Sequence, residues 1–84
     1  MTYLQLLVEF LACKFPWWGV FHISFEHETK TVCIYSKNPS KRAFILRDTL
    51  DVARLDIGVE QFMVVQPGYS EIMITSNVYK DFRS

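Results

Sequence analysis

Cys33 and His22 are the side chains best equipped for covalent chemistry, a thiol and an imidazole carried by two adjoining apolar segments. A thiolate next to an imidazole base is the nucleophilic pair of cysteine enzymes. Residues Gly19 to Glu26 and Lys30 to Ser36 are rich in Val, Ile, Phe and Tyr, and the polar His27-Glu28-Thr29 separates them, a pattern that predicts a β-hairpin. A four-residue loop from Glu26 to Thr29 then sets His22 opposite Cys33. The sequence places no third group to orient the histidine, and neither residue starts a helix, where a thiol is most readily ionised. No catalytic role is therefore predicted. His22, Glu26, His27 and Glu28 have metal-ligand chemistry but read more simply as a solvated hairpin tip, and Cys13 and Cys33 lack the close spacing of a metal knuckle. Neither a metal nor another cofactor is expected.

Two other groupings have chemistry suited to binding. Lys37, Lys41, Arg42 and Arg47 surround Asn38-Pro39, which together supply a helix cap and a first helical residue. The unpaired amides and dipole of a helix start favour an anion. Nine basic residues balance nine acidic ones, however, so no long-range field draws the chain to nucleic acid. A nucleic-acid or anion-binding module using these four residues is the alternative reading. The second grouping, Trp17-Trp18, stands at a helix-to-strand corner. Two adjacent tryptophans cannot easily both point inward there, and tryptophan is over-represented among interface hot spots.

The elements that must position these residues follow from periodicity and turn chemistry. Leu4, Leu7, Val8, Leu11 and Phe15 recur at helical spacing, which predicts a helix over residues 2 to 15 that Pro16 ends. Tyr3, Leu6 and Phe10 add apolar surface beside that stripe, more than one sheet can cover. A second helix is predicted from Asn38-Pro39 to about Leu55, stopped by Gly58, with Ala43, Leu46, Leu50 and Ala53 facing inward; a strand through Ala43 to Arg47 is a weaker alternative. Glu60 to Gln66 and Ser70 to Ser76 predict a second hairpin around Pro67-Gly68, where glycine suits the positive φ of a type II turn. Ser76 or Asn77 can cap a short terminal turn through Phe82. The expectation is one α+β domain spanning residues 1–84: αββαββ order, with a four-stranded, mostly antiparallel sheet and two helices packed on one face.

Strand parity then suggests what the fold is for. In the first hairpin Ile23, Phe25, Val32 and Ile34 belong on the helix side, leaving His22, Cys33 and Tyr35 outside. In the second, a two-residue loop groups Phe62 and Val64 with Glu71 and Met73, and Met63 and Val65 with Ile72 and Ile74. Both faces are apolar, which implies that something covers the outer one. The expected contact surface is Trp17, Trp18, Tyr35, Phe62, Val64 and Met73. Half of the residues are apolar and only two are cysteine, and no apolar run is long enough to span a bilayer. That composition points to a cytoplasmic, non-enzymatic protein-interaction module, a homodimer that binds and blocks or modulates a partner or host protein. In style, though in no motif, it is similar to small phage- or plasmid-encoded accessory and inhibitor proteins.

Overall fold

A computed structural model of the chain describes residues 2–77. Helix α1 spans Tyr3–Lys14 and a 3-10 turn covers Pro16–Trp18; β1 (His22–Glu26) and β2 (Thr31–Tyr35) follow. A second 3-10 turn, Pro39–Lys41, leads into α2 (Arg42–Arg47) and α3 (Thr49–Ala53), and β3 (Gln61–Val65) and β4 (Ile72–Thr75) complete an α+β fold. The four strands lie in the order β1-β2-β3-β4. Both hairpins are antiparallel, whereas β2 and β3 run parallel, joined by the crossover through α2 and α3. The predicted terminal turn through Phe82 lies outside the described residues.

Local chemistry explains the ends of α1. The Thr2 hydroxyl accepts from the Gln5 amide at 3.2 Å while the Gln5 side chain accepts from the Thr2 amide at 2.9 Å, a reciprocal cap on the first turn. Pro16 cannot continue the helix, and Gly19, at φ +77, turns the chain toward β1. Leu7, Leu11 and Phe15 then join Trp18, Phe21, Ile45, Val52, Leu55 and Val59 against Val32, Ile34, Phe62, Val64 and Ile74 of the sheet in one buried cluster. No described helix is long and apolar enough to cross a membrane.

Three register details differ from the expectations above. The first hairpin closes at Glu26–Thr31, so His22 pairs with Tyr35 and Ser24 with Cys33. Its loop is His27 to Lys30, one residue later than predicted, and Lys30 takes a left-handed conformation at φ +53 that its side chain does not advertise. In the second hairpin, Pro67 and Gly68 do form the turn, with Gly68 at φ +81 and the Tyr69 amide donating to the Gln66 carbonyl at 3.2 Å. One extra residue after that turn shifts the ladder, however, so that Phe62 pairs with Ile74, Met63 with Met73 and Val64 with Ile72. A one-residue slip exchanges the faces of a strand. Phe62 and Val64 are thereby core residues, both 0% exposed, and not part of an outer contact surface as the two-residue loop had implied.

The second helix is likewise two short helices meeting at Asp48. The stripe it buries is Ile45, Asp48 and Val52 with Ala53, while Ala43, Leu46 and Leu50 are exposed. A buried aspartate inside the inward stripe hides that stripe from any reading based on apolar spacing. Since Phe62 fills the core centre, Phe62→Ala is expected to cost about 3–5 kcal/mol of stability. Urea unfolding measures this, and Phe62→Asp should leave no cooperative transition at all.

Candidate functional site

Asp48 ties the tryptophan corner to the crossover helices. Its Oδ2 accepts from the Trp17 indole Nε1–H at 2.5 Å and from the Trp18 indole at 3.0 Å, while Arg47 Nε donates to Oδ1 at 3.3 Å. The adjacent tryptophans thus diverge in burial and converge on one carboxylate. Trp18 is sealed inside, stacked on Phe15 with ring centres 4.4 Å apart, and Trp17 remains 41% exposed. Burial by itself opposes ionisation of Asp48, but the hydrogen bonds from Trp17, Trp18 and Arg47, together with the Arg47 charge, outweigh it and hold the carboxyl below its ordinary value.

The clamp also organises the surface above it. The Arg47 guanidinium lies over the Trp17 ring at 5.4 Å and over Phe44 at 5.2 Å, and Lys41 Nζ sits 5.7 Å from the same Phe44 ring. Arg42 donates to Gln66 Oε1 and to the Ser70 carbonyl, each at 3.1 Å, and stacks on Tyr69 at 4.6 Å. Buried Gln66 in turn donates to the Asn38 carbonyl at 3.2 Å. Three of the four basic residues predicted to gather an anion are therefore already engaged, Lys41 and Arg47 with the shared Phe44 ring and Arg42 with Gln66, Ser70 and Tyr69. Asn38 Oδ1 caps the Ser40 amide at 3.1 Å, which satisfies a donor an anion would need. Lys37 stands apart at the end of the sheet, where it lines an open depression of about 410 Å³ with Val20, His22, Tyr35, Asn38 and Pro39.

On the other side of the molecule the sheet turns a second face outward. The register aligns three rows across the strands: Glu26, Thr31, Gln61 and Thr75; Ser24, Cys33, Met63 and Met73; and His22, Tyr35 and Val65. The first row is polar and hydrogen-bonded, with Gln61 Nε2 donating to Thr31 Oγ1 at 2.9 Å. The middle row is apolar from Cys33 onward. Met73 is 53% exposed and Tyr35 41%, while Cys33, Met63 and Val65 beside them are half-buried.

Family models, characterised proteins and solved structures give no match to this chain.

The residues expected to form one contact surface are thus divided. Trp18, Phe62 and Val64 belong to the core and Trp17 to the helical side, leaving Tyr35 and Met73 on the outer sheet face. Met63 and Val65 join them there; parity alone reveals these two once the register is known. The new register also places Ser24, not His22, opposite Cys33, leaving the imidazole two pairs away along the strand. Among the described residues, no group of three or more His, Cys, Asp or Glu side chains is arranged to hold a metal ion.

Removing the carboxylate strands two indole donors, one of them fully buried. Asp48→Ala is therefore expected to lose about 3 kcal/mol by urea unfolding, and Trp17→Phe, which keeps the ring but not the donor, about 1 kcal/mol. Because the folded-state value is lowered, the carboxylate's contribution is fully present above its unfolded value and is lost as pH falls through the folded one. Thermal scans should show stability declining below about pH 5, with a shallower decline in Asp48→Asn.

Proposed function

We propose that this chain is a non-enzymatic protein-interaction module of the cytoplasm, which acts by occupying an apolar surface of another protein with the outer face of its sheet. The single observation that carries this reading is the apolar row of half-buried Cys33 and Met63 and exposed Met73, bordered by Tyr35 and Val65. An antiparallel hairpin whose second face met only water would alternate apolar with polar residues there. β1 and β2 do so in part, with His22, Ser24, Glu26 and Thr31; β3 and β4 present two methionines and a valine beyond the polar Gln61 and Thr75. Methionine is unbranched and polarizable, and surfaces that must accommodate a partner's contours use it often.

The chemistry of the rest of the molecule agrees with this reading. Cys13 and Cys33 are free thiols, at home in a reducing compartment. The basic side chains at the start of α2 are engaged with aromatic rings and with Gln66, which leaves them poorly placed to compete for phosphate. Four strands about 4.8 Å apart and five residues long at about 3.3 Å each give the outer face a plan of roughly 300 Å². That is small beside the 800 Å² or so that each partner gives to a stable interface, so the contact extends past one sheet or remains transient.

A photo-reactive residue in place of Tyr35 should cross-link a single protein species, and adding Met73→Lys should abolish that contact while changing folding stability by no more than about 0.5 kcal/mol. Leu50→Lys, on the exposed side of α3, should leave the contact intact. Cross-linking that survives Met73→Lys, or that disappears equally with Leu50→Lys, would contradict the assignment.

A further inference from the structure

We infer that two copies of this chain pair through the outer edge of β1, which fuses their sheets into one of eight strands. The sequence of the strand, in its observed orientation, points to this pairing. β1 stands at the edge of the sheet, with β2 on one side and no strand among the described residues on the other. Such an edge presents unpaired backbone amides and carbonyls, and many proteins blunt it from within the strand with Pro, Lys or a bulge. His22-Ile23-Ser24-Phe25-Glu26 contains none of these.

The strand is also complementary to itself. Antiparallel pairing about a two-fold axis at Ser24 sets His22 of one copy opposite Glu26 of the other, Ile23 opposite Phe25, and Ser24 opposite Ser24. Residues directly opposite in an antiparallel pair share a face. The imidazole–carboxylate pairs therefore fall on the outer face, where both side chains are exposed. The Ile23–Phe25 pairs fall on the inner face, where both are only half-buried, in contrast to the buried Val32 and Ile34 of the next strand. Partial burial of inward-facing apolar residues is what a second copy would complete. The other edge strand, Ile72–Thr75, has no charged residue with which to set such a register.

Helix α1 lies over the same edge. Leu4, Gln5, Val8, Glu9 and Ile23 line an apolar groove of about 250 Å³ between the helix and β1. The two-fold axis that pairs the strands brings the two α1 helices side by side in antiparallel orientation, their Leu4 and Val8 flanks toward each other. A contact of one strand edge and one helix flank is at the small end of specific interfaces, which sets the expected dissociation constant in about the micromolar range. Pairing also doubles the open outer face to about 38 by 17 Å, closer to the area a partner interface requires. The inference does not depend on the outer face having a partner.

Light scattering of the full chain across a concentration series tests it. The wild type should reach twice 9.9 kDa at tens of micromolar. Glu26→Lys, and His22→Glu, which faces Glu26 of the other copy with a like charge, should each raise the dissociation constant about tenfold. The double exchange His22→Glu with Glu26→Lys should restore it. His22, Ser24 and Glu26 are all exposed, so circular dichroism should be unchanged. In a background with Cys13→Ser and Cys33→Ser, Ser24→Cys should oxidise to a covalent dimer faster than Glu28→Cys. A chain that stays at 9.9 kDa at millimolar concentration overturns the inference. So does a dimer that neither single charge change weakens, or one that Ser24→Cys fails to link. Because Met73→Lys leaves this edge untouched, loss of dimer with that variant would also count against β1 as the interface.

Discussion

One carboxylate determines how the two halves of this fold meet. Asp48 accepts both indole hydrogens of Trp17-Trp18 while sitting at the junction of α2 and α3. The corner that ends α1 is thereby fastened to the crossover that makes β2 and β3 parallel. A buried aspartate is costly unless its oxygens are satisfied, and here three donors satisfy them. The consequences spread outward. Trp18 stacks on Phe15 at the base of the core, Trp17 and Arg47 are set in an aromatic–cation ladder with Phe44, and the helix is oriented so that Ile45 and Val52 face the sheet.

With the helical side fixed in this way, the sheet is asymmetric. Its inner face contributes Val32, Ile34, Phe62, Val64 and Ile74 to the core, and its outer face shows Cys33, Tyr35, Met63, Val65 and Met73 to whatever approaches. A chain this short buries a modest fraction of its surface and can ill spare apolar side chains. That so many remain outside, on the sheet, on α1 and along α2, is the physical basis of the proposal that this protein acts by association. Interfaces of this kind derive their specificity from a few anchors and from the polar residues bordering them. Here the border is Glu26, Thr31, Gln61 and Thr75 on one side and His22 on the other.

Much of this architecture is legible in the residues themselves. Apolar spacing and Pro16 announce α1 and its end, Asn38-Pro39 the start of the crossover, and Pro67-Gly68 a type II turn at its observed place. The faces of β3 and β4 are not legible, because one additional residue after a correctly recognised turn exchanges inside for outside, and no side chain marks it. The same is true of the first loop, where a lysine adopts a conformation normally reserved for glycine or asparagine. The inward stripe of the second helical segment is concealed for a different reason. Its central residue is an aspartate, and only the pairing of that aspartate with two distant indoles makes the position habitable. Apolar spacing detects hydrophobic cores; it is blind to a polar group that the tertiary structure satisfies.

The solvent exposure of individual methyl groups in the isolated protein is the most direct test of an open outer face. With methionine, isoleucine and valine methyls isotopically labelled, a soluble paramagnetic agent should strongly attenuate the signals of Met63 and Met73 and spare those of Val64 and Ile74. If Met63 and Met73 were as protected as the core methyls, the chain itself would cover its outer face, and that face could not be its contact surface for another protein.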